Sequence, residues 1–259
     1  MRDGAETRLE FCGLRRQHLG KYHPMAVENL VKGIHAIMTE PPTLDVNAVA
    51  LGIVRVFPAL SLFEQRLSLE LYRLLSEGEP VLRAVLAERL QVSVEIVDRI
   101  LDGWPGVFSD SERRIIGYWG LSIAGAYTSP HQLTIDGQRL SAWCAWDTLF
   151  LPELLGKPAE VESQSPGQAG GVKLIVTATN VDHVEPEDAH VSFLMPDAAE
   201  IQKDIVSTFC HFVHFFPSRQ AGEAWASQHH GTFILSVAEA HAIALLKNRA
   251  QYGEAMGSR

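Results

Sequence analysis

Cysteine is scarce: Cys12, Cys144 and Cys210 are the three in 259 residues. Three is too few and odd for a disulfide scaffold, so reduced thiols are expected. Long apolar runs are missing as well, with no stretch near the ~18–20 uninterrupted apolar residues of a transmembrane helix. The opening Met1-Arg2-Asp3-Gly4-Ala5-Glu6 carries acids early and shows no apolar core before a small-residue cleavage site. It therefore does not read as a secretory signal, and the expected compartment is the cytoplasm. Positive charge is in deficit: 22 Lys and Arg stand against 31 Asp and Glu, a net charge of −9. That argues against a nucleic-acid or anionic-membrane partner, whose affinity comes from clustered Lys and Arg. Gly-rich phosphate-binding fingerprints, the strand–Ser–helix elbow of hydrolases and internal repeats are also missing.

What is present is a globular composition, 46% hydrophobic and 20% charged, too apolar for a disordered chain. Apolar residues spaced at three and four predict helices over 26–38, over 46–57 before Pro58, and from Ser61 to near Gly78. Shorter helices are expected over 81–90 and 94–101, the second opened by Ser93, which lacks a Glu or Gln three residues on. Val107-Phe108 and Arg114 to Trp119 then read as a two-stranded wing, so helix, helix and wing suggest a winged-helix unit. A winged helix can read DNA. Its second helix, Val94 to Ile100, carries two acids and one base, which favours a packing module instead.

Beyond Leu121 the texture turns to β. Strands are expected at 133–135 before an Asp136-Gly137 hairpin turn, at 172–178, at 191–195 and at 209–216. A loop is expected over 163–171, and helices over 221–225 and 237–249. The fold class that follows is α+β, a winged-helix-like N-terminal part packed on a mixed, mainly antiparallel sheet with flanking helices. The expected division is an extension over 1–60, partly helical, a winged-helix-like domain over 61–120, and an α+β catalytic domain over 121–259.

Two thiols lie in unusual company. Cys144 sits in Leu140-Ser141-Ala142-Trp143-Cys144-Ala145-Trp146-Asp147-Thr148-Leu149-Phe150. Read as helical up to Pro152, this segment places Cys144 and Asp147 one turn apart on one face. Cys210, read on a strand, shares a face with Phe212 and His214, while His211 faces the other way. A single free Cys among apolar residues is most often inert packing. A carboxyl one turn from a thiol has no packing reason to be there.

The segments Leu140 to Pro152 and Thr208-Phe209-Cys210 through Phe216, the latter followed by Glu223-Ala224-Trp225-Ala226-Ser227, resemble the two active-site segments of organomercurial (alkylmercury) lyases. The resemblance covers roughly residues 61 to 250 and includes the helical part before the first segment. It leaves residues 1–60 unexplained, and the further structural Cys often found between the segments is missing from Ser163 to Gly171. It implies protonolytic cleavage of R–Hg–X to R–H and Hg(II), with Cys144, Asp147 and Cys210 as catalytic residues and as the ligands of product Hg(II). Trp143 is the expected substrate-binding residue. No permanently bound cofactor is implied. Low-molecular-weight thiols would deliver organomercurials and strip the product, and a mercuric reductase would receive the Hg(II).

The chemistry agrees with the resemblance. Hg(II) is a soft acid that prefers thiolate, so a Cys with a lowered pKa is favoured. Cleavage also needs a proton for the departing carbon, and Asp147 can supply it only if burial near Trp143 and Trp146 raises its pKa. His211 and His214 are expected as core or outer groups, with at most one joining Cys210. His229 and His230 read as an exposed junction, Trp225 as helix packing, and Cys12 as an incidental thiol. Two rival classes remain: a non-catalytic metal binder or winged-helix metalloregulator, and a cysteine hydrolase using His211 or His214 as base.

Overall fold

The computed structural model describes residues 45–56 and 59–257. Cys12, the helix expected over 26–38 and most of the expected extension lie outside the described residues.

Helices lead the chain. α1 (Val46–Val56) buries Val49, Ala50 and Ile53, the one-sided spacing its sequence predicts. α2 (Leu62–Leu75) opens on a reciprocal cap. The Ser61 hydroxyl accepts from the Glu64 N–H at 3.3 Å, and the Glu64 carboxylate accepts from the Ser61 N–H at 2.8 Å. Such a cap is worth about 1 kcal/mol. α3 (Arg83–Leu90) and α4 (Val94–Gly103) follow; Ser93 adopts the extended backbone of a cap but makes no side-chain cap bond.

Next come β1 (Val107–Ser109), β2 (Ile115–Tyr118), β3 (Leu121–Ile123), β4 (His131–Ile135) and β5 (Gln138–Ala142), then α5 (Asp147–Leu155). β6 (Ala159–Gln164), β7 (Gly171–Val176) and β8 (Val181–Glu185) complete an eight-stranded antiparallel sheet ordered β1-β2-β3-β5-β4-β6-β7-β8. The expected wing is thus the edge hairpin of this large sheet, because β2 pairs onward with β3. Asp136 and Gly137 both have positive φ, 51° and 79°, and this primed turn sets the β4–β5 register with Ile135 opposite Gln138.

The chain continues through β9 (His190–Leu194), α6 (Ala198–Thr208, broken at Asp204), β10 (Phe215–Phe216), α7 (Arg219–Ala226), β11 (Thr232–Ser236) and α8 (Val237–Met256). β9 lies between β10 and β11 in a second antiparallel sheet. α8 packs on α1, α2 and α5, which places its buried face behind the first turn of α5. The architecture is α+β with mainly antiparallel sheets. Among the described residues no helix is long and apolar enough to cross a membrane.

Two local expectations fail. The helix expected through Cys144 is instead the end of β5, a turn, and α5 starting at Asp147. Leu140 to Ala142 pair with β3 on one side and β4 on the other, and that two-sided ladder overrides the helical preference of the alanines. The strand expected over 209–216 is a 3₁₀ turn at Cys210–Phe212 followed by the two-residue β10. Ser192 causes the interruption. Its hydroxyl donates to the Phe212 carbonyl at 2.8 Å and accepts from the His214 N–H at 2.9 Å, leaving Phe215 and Phe216 to pair with β9.

Candidate active site

Backbone hydrogen bonds bring distant segments together. The turn after β5 is held from two sides: Trp143 N–H donates to the Gly120 carbonyl at 3.0 Å, and Ala145 N–H donates to the Val213 carbonyl at 3.1 Å. The second bond ties the Cys144 turn directly to the turn carrying Cys210. Asp147, in the first turn of α5, folds its carboxylate back to accept the Cys144 N–H at 2.7 Å. A helix N-terminus suits a carboxylate there. One sulfur from each cysteine and one oxygen of Asp147 lie within 4.8 Å of one another, all three residues buried. Gly120 makes room for this. It sits at φ +91°, and a Cβ there would come 2.6 Å from the Asp147 carboxyl.

Burial controls the protonation of this cluster. It pushes the Cys144 thiol well up, helped by the Cys210 sulfur and the negative charge of Asp147. At Cys210 the contact with Cys144 pulls the thiol down, but burial and the charges of Asp147 and Asp204 leave it raised. Activation by a lowered thiol pKa, expected from the sequence, is therefore not what the fold provides. Burial also raises Asp147 to about 6, opposed by bonds from Cys144 and by the charge of Lys247. Near neutrality the resting cluster is two neutral thiols beside one carboxylate, an acceptor for one proton.

Asp147 and Cys210 line a cavity of about 30 Å³, more than the ~10–15 Å³ that one water occupies. Its walls are aromatic, among them Trp119, Trp143, Phe209 and Tyr72. Trp143 is 3% exposed and donates to the Ser122 hydroxyl at 2.7 Å, with the ring of Phe108 edge-on at 4.9 Å. Trp146 and Phe209 also line the cavity, and Phe193 packs edge-to-face against both. The lining also includes a charged residue that is not among the expected site residues: Lys247 on α8, 4% exposed. Burial lowers its pKa to about 7 against the pull of Asp147 and Glu153.

The histidines stand apart from the cluster. The His214 ring stacks at 5.7 Å on buried His131 and meets Trp225 edge-on at 5.4 Å, while His211 is exposed. Trp225 stacks on His229 at 3.7 Å and packs α7 against Phe216 of β10, the packing role expected for it. Among the described residues, the Cys144, Asp147 and Cys210 group is the one able to hold a metal ion.

Two buried thiols and a carboxyl converging beside a largely aromatic cavity suit a soft heavy-metal species. Comparison with known proteins narrows the class. The profile of the alkylmercury lyase family matches residues 126–246, a span containing all three residues. An alkylmercury lyase of Pseudomonas putida is 40% identical over 170 residues, covering 66% of this chain and 77% of that relative. One from Staphylococcus epidermidis is 37% identical over 170 residues, covering 66% and 76%, and one from Bacillus cereus is 36% identical over 189 residues, covering 73% and 79%. The crystal structure of the mercury-bound form of MerB2 shares the fold, with a TM-score of 0.62 and 19% identity, covering 79% of this chain and 98% of that one. The chain belongs to the alkylmercury lyase family.

Proposed function

We propose that the protein is an organomercurial lyase that converts R–Hg–X and a proton into R–H and Hg(II), with Cys144, Cys210 and Asp147 as its catalytic residues. The observation that carries this reading is the convergence of those three ligand atoms within 4.8 Å. Mercury is the substrate's own metal, and no permanently bound cofactor is needed.

The resting protonation state sets the order of events. One cysteine sulfur binds mercury and X departs; a soft metal deprotonates the thiol it binds. The released proton can move to the Asp147 carboxylate, whose raised pKa makes it both an acceptor near neutrality and a competent donor. The second sulfur then binds mercury and gives up its own proton to the departing X− or to solvent, so that R–Hg–X and two thiols yield R–H, X−, one proton and the two-thiolate Hg(II). Asp147 passes its proton to carbon, the electron pair of the C–Hg bond becomes the C–H bond, and Hg(II) stays on two thiolates. Trp143 and the other aromatic walls hold the organic group and exclude water. Either cysteine can bind first in this scheme.

A buried two-thiolate Hg(II) leaves slowly unless other thiols compete, so low-molecular-weight thiols deliver substrate and remove product in this reading. A mercuric reductase is the recipient, and the cytoplasm, where such thiols stay reduced, is the compartment. Incubation with phenylmercuric acetate and excess thiol, followed by gas chromatography for benzene, tests the proposal. Benzene formed in proportion to enzyme supports it. Mercury bound without benzene would instead identify a non-catalytic metal binder.

A further inference from the structure

Lys247 is a charge in a place that favours apolar residues. It lies on the buried stripe of α8 with Ala240, Ile243, Ala244 and Tyr252. Its Nζ sits 3.9 Å from the centre of the Phe150 ring and donates to Asn248 Oδ1 at 3.1 Å. Taking an ammonium out of water is costly, and a well-packed apolar side chain of similar volume is often the more stable choice. Among the described residues, Asp147 and Glu153 of α5 act on the ammonium, and Asp147 and Cys210 line the same cavity as Lys247. Tyr252 of α8 and Tyr72 of α2 share its cavity wall. Glu153 is already engaged, since Asn248 Nδ2 donates to it at 2.9 Å and Arg249 also acts on it. Asp147 is fully buried beside the thiols and feels Lys247 in return.

We infer that Lys247 is a positioning residue for the carbon–mercury cleavage: from the wall of the substrate cavity its ammonium offsets the negative charge of the sulfur–carboxyl cluster while a proton passes from thiol to Asp147 and on to carbon. The inference rests on the lyase reading above. It adds a fourth group to the cluster, contributed by the C-terminal helix one residue beyond the matched family span of 126–246. No electron or atom is exchanged with Lys247; it acts through Asp147.

The test uses the full chain as wild type, Lys247→Met and Glu153→Gln, with phenylmercuric acetate and excess thiol. Lys247→Met is expected to lower kcat for benzene formation at least about tenfold, the ratio equivalent to one pKa unit, with KM, Hg(II) binding and the melting temperature held or raised. Glu153→Gln is expected to stay within about twofold of wild type, because the partner that matters is Asp147. Three results would overturn the inference while leaving the lyase reading intact: an active wild type with an equally active Lys247→Met, a Glu153→Gln loss as large as that of Lys247→Met, or a Lys247→Met protein that fails to fold. A wild type that forms no benzene strikes the lyase reading itself.

Discussion

Gly120→Ala isolates the geometry of the site from its chemistry. Gly120 has φ +91°, and an added Cβ would lie 2.6 Å from Cγ and Oδ1 of Asp147 and 3.0 Å from its Cβ. Placing an L residue in this region costs roughly 1–2 kcal/mol, and relieving the overlap adds a cost typical of overpacking, about 1–3 kcal/mol. Neither Asp147 nor Gly120 can yield freely. The carboxylate is fixed by the Cys144 N–H, and the Gly120 carbonyl holds the Trp143 N–H. The strain therefore moves the carboxyl relative to the thiols, and a shift near 1 Å can lower turnover about 10²-fold. Gly125 supplies the control: its φ is +78° with nothing within 4 Å of an added Cβ. Gly125→Ala should lose only the conformational term and keep wild-type turnover. Urea unfolding and benzene formation, measured on both variants, separate the two effects. Full activity in Gly120→Ala, or equal losses in the two variants, would refute the claim that this glycine makes room for the carboxyl.

Asp147→Asn keeps an acceptor for the Cys144 N–H but cannot shuttle a proton. Its kcat for phenylmercury should fall about 10²–10⁴-fold while one Hg(II) still binds by equilibrium dialysis; retained turnover would remove the proton-shuttle role. A second outcome concerns acid stability. Burial, with the charge of His214, lowers His131 from 6.5 to about 3, so the folded state stays neutral while the unfolded chain takes up a proton as pH falls through 6.5. Stability held above pH 6.5 is lost progressively down to about pH 3, by roughly 2 kcal/mol between pH 7 and 5 at ~1.4 kcal/mol per unit. Urea unfolding at those two pH values should show that much less acid loss in His131→Gln than in wild type, and equal losses would contradict the assignment.

The residues of the centre were legible in the chain before their conformation was. Cys144 and Asp147 stood out because a carboxyl in a Trp- and Leu-rich run has no packing reason, and burial explains both its conspicuousness and its raised pKa. Their local structure is not legible in the chain, since Ala142 and Ala145 favour helix while pairing of β5 with two neighbours decides otherwise. β6 carries a weak strand signal because Glu160, Glu162 and Gln164 face solvent and one inward position is Ser163, whose hydroxyl meets His131 Nδ1 at 2.6 Å. α6 carried a readable start: Asp197 accepts from the N–H groups of Ala199 and Glu200, with Glu200 at the third helical position. Lys247 had a signal too. Its spacing from Ala240 and Ala244 puts it on the buried stripe, where a lysine is out of keeping with a purely structural helix.

In the proposed mechanism two sulfurs from separate segments close on one mercury atom. X-ray absorption on protein loaded with one equivalent of Hg(II) reads the number of sulfur neighbours directly. Wild type and Cys12→Ser should each show two Hg–S bonds, whereas Cys144→Ser and Cys210→Ser should each show one and form no benzene. Two Hg–S bonds surviving in Cys210→Ser, or a single one in wild type, would contradict the account.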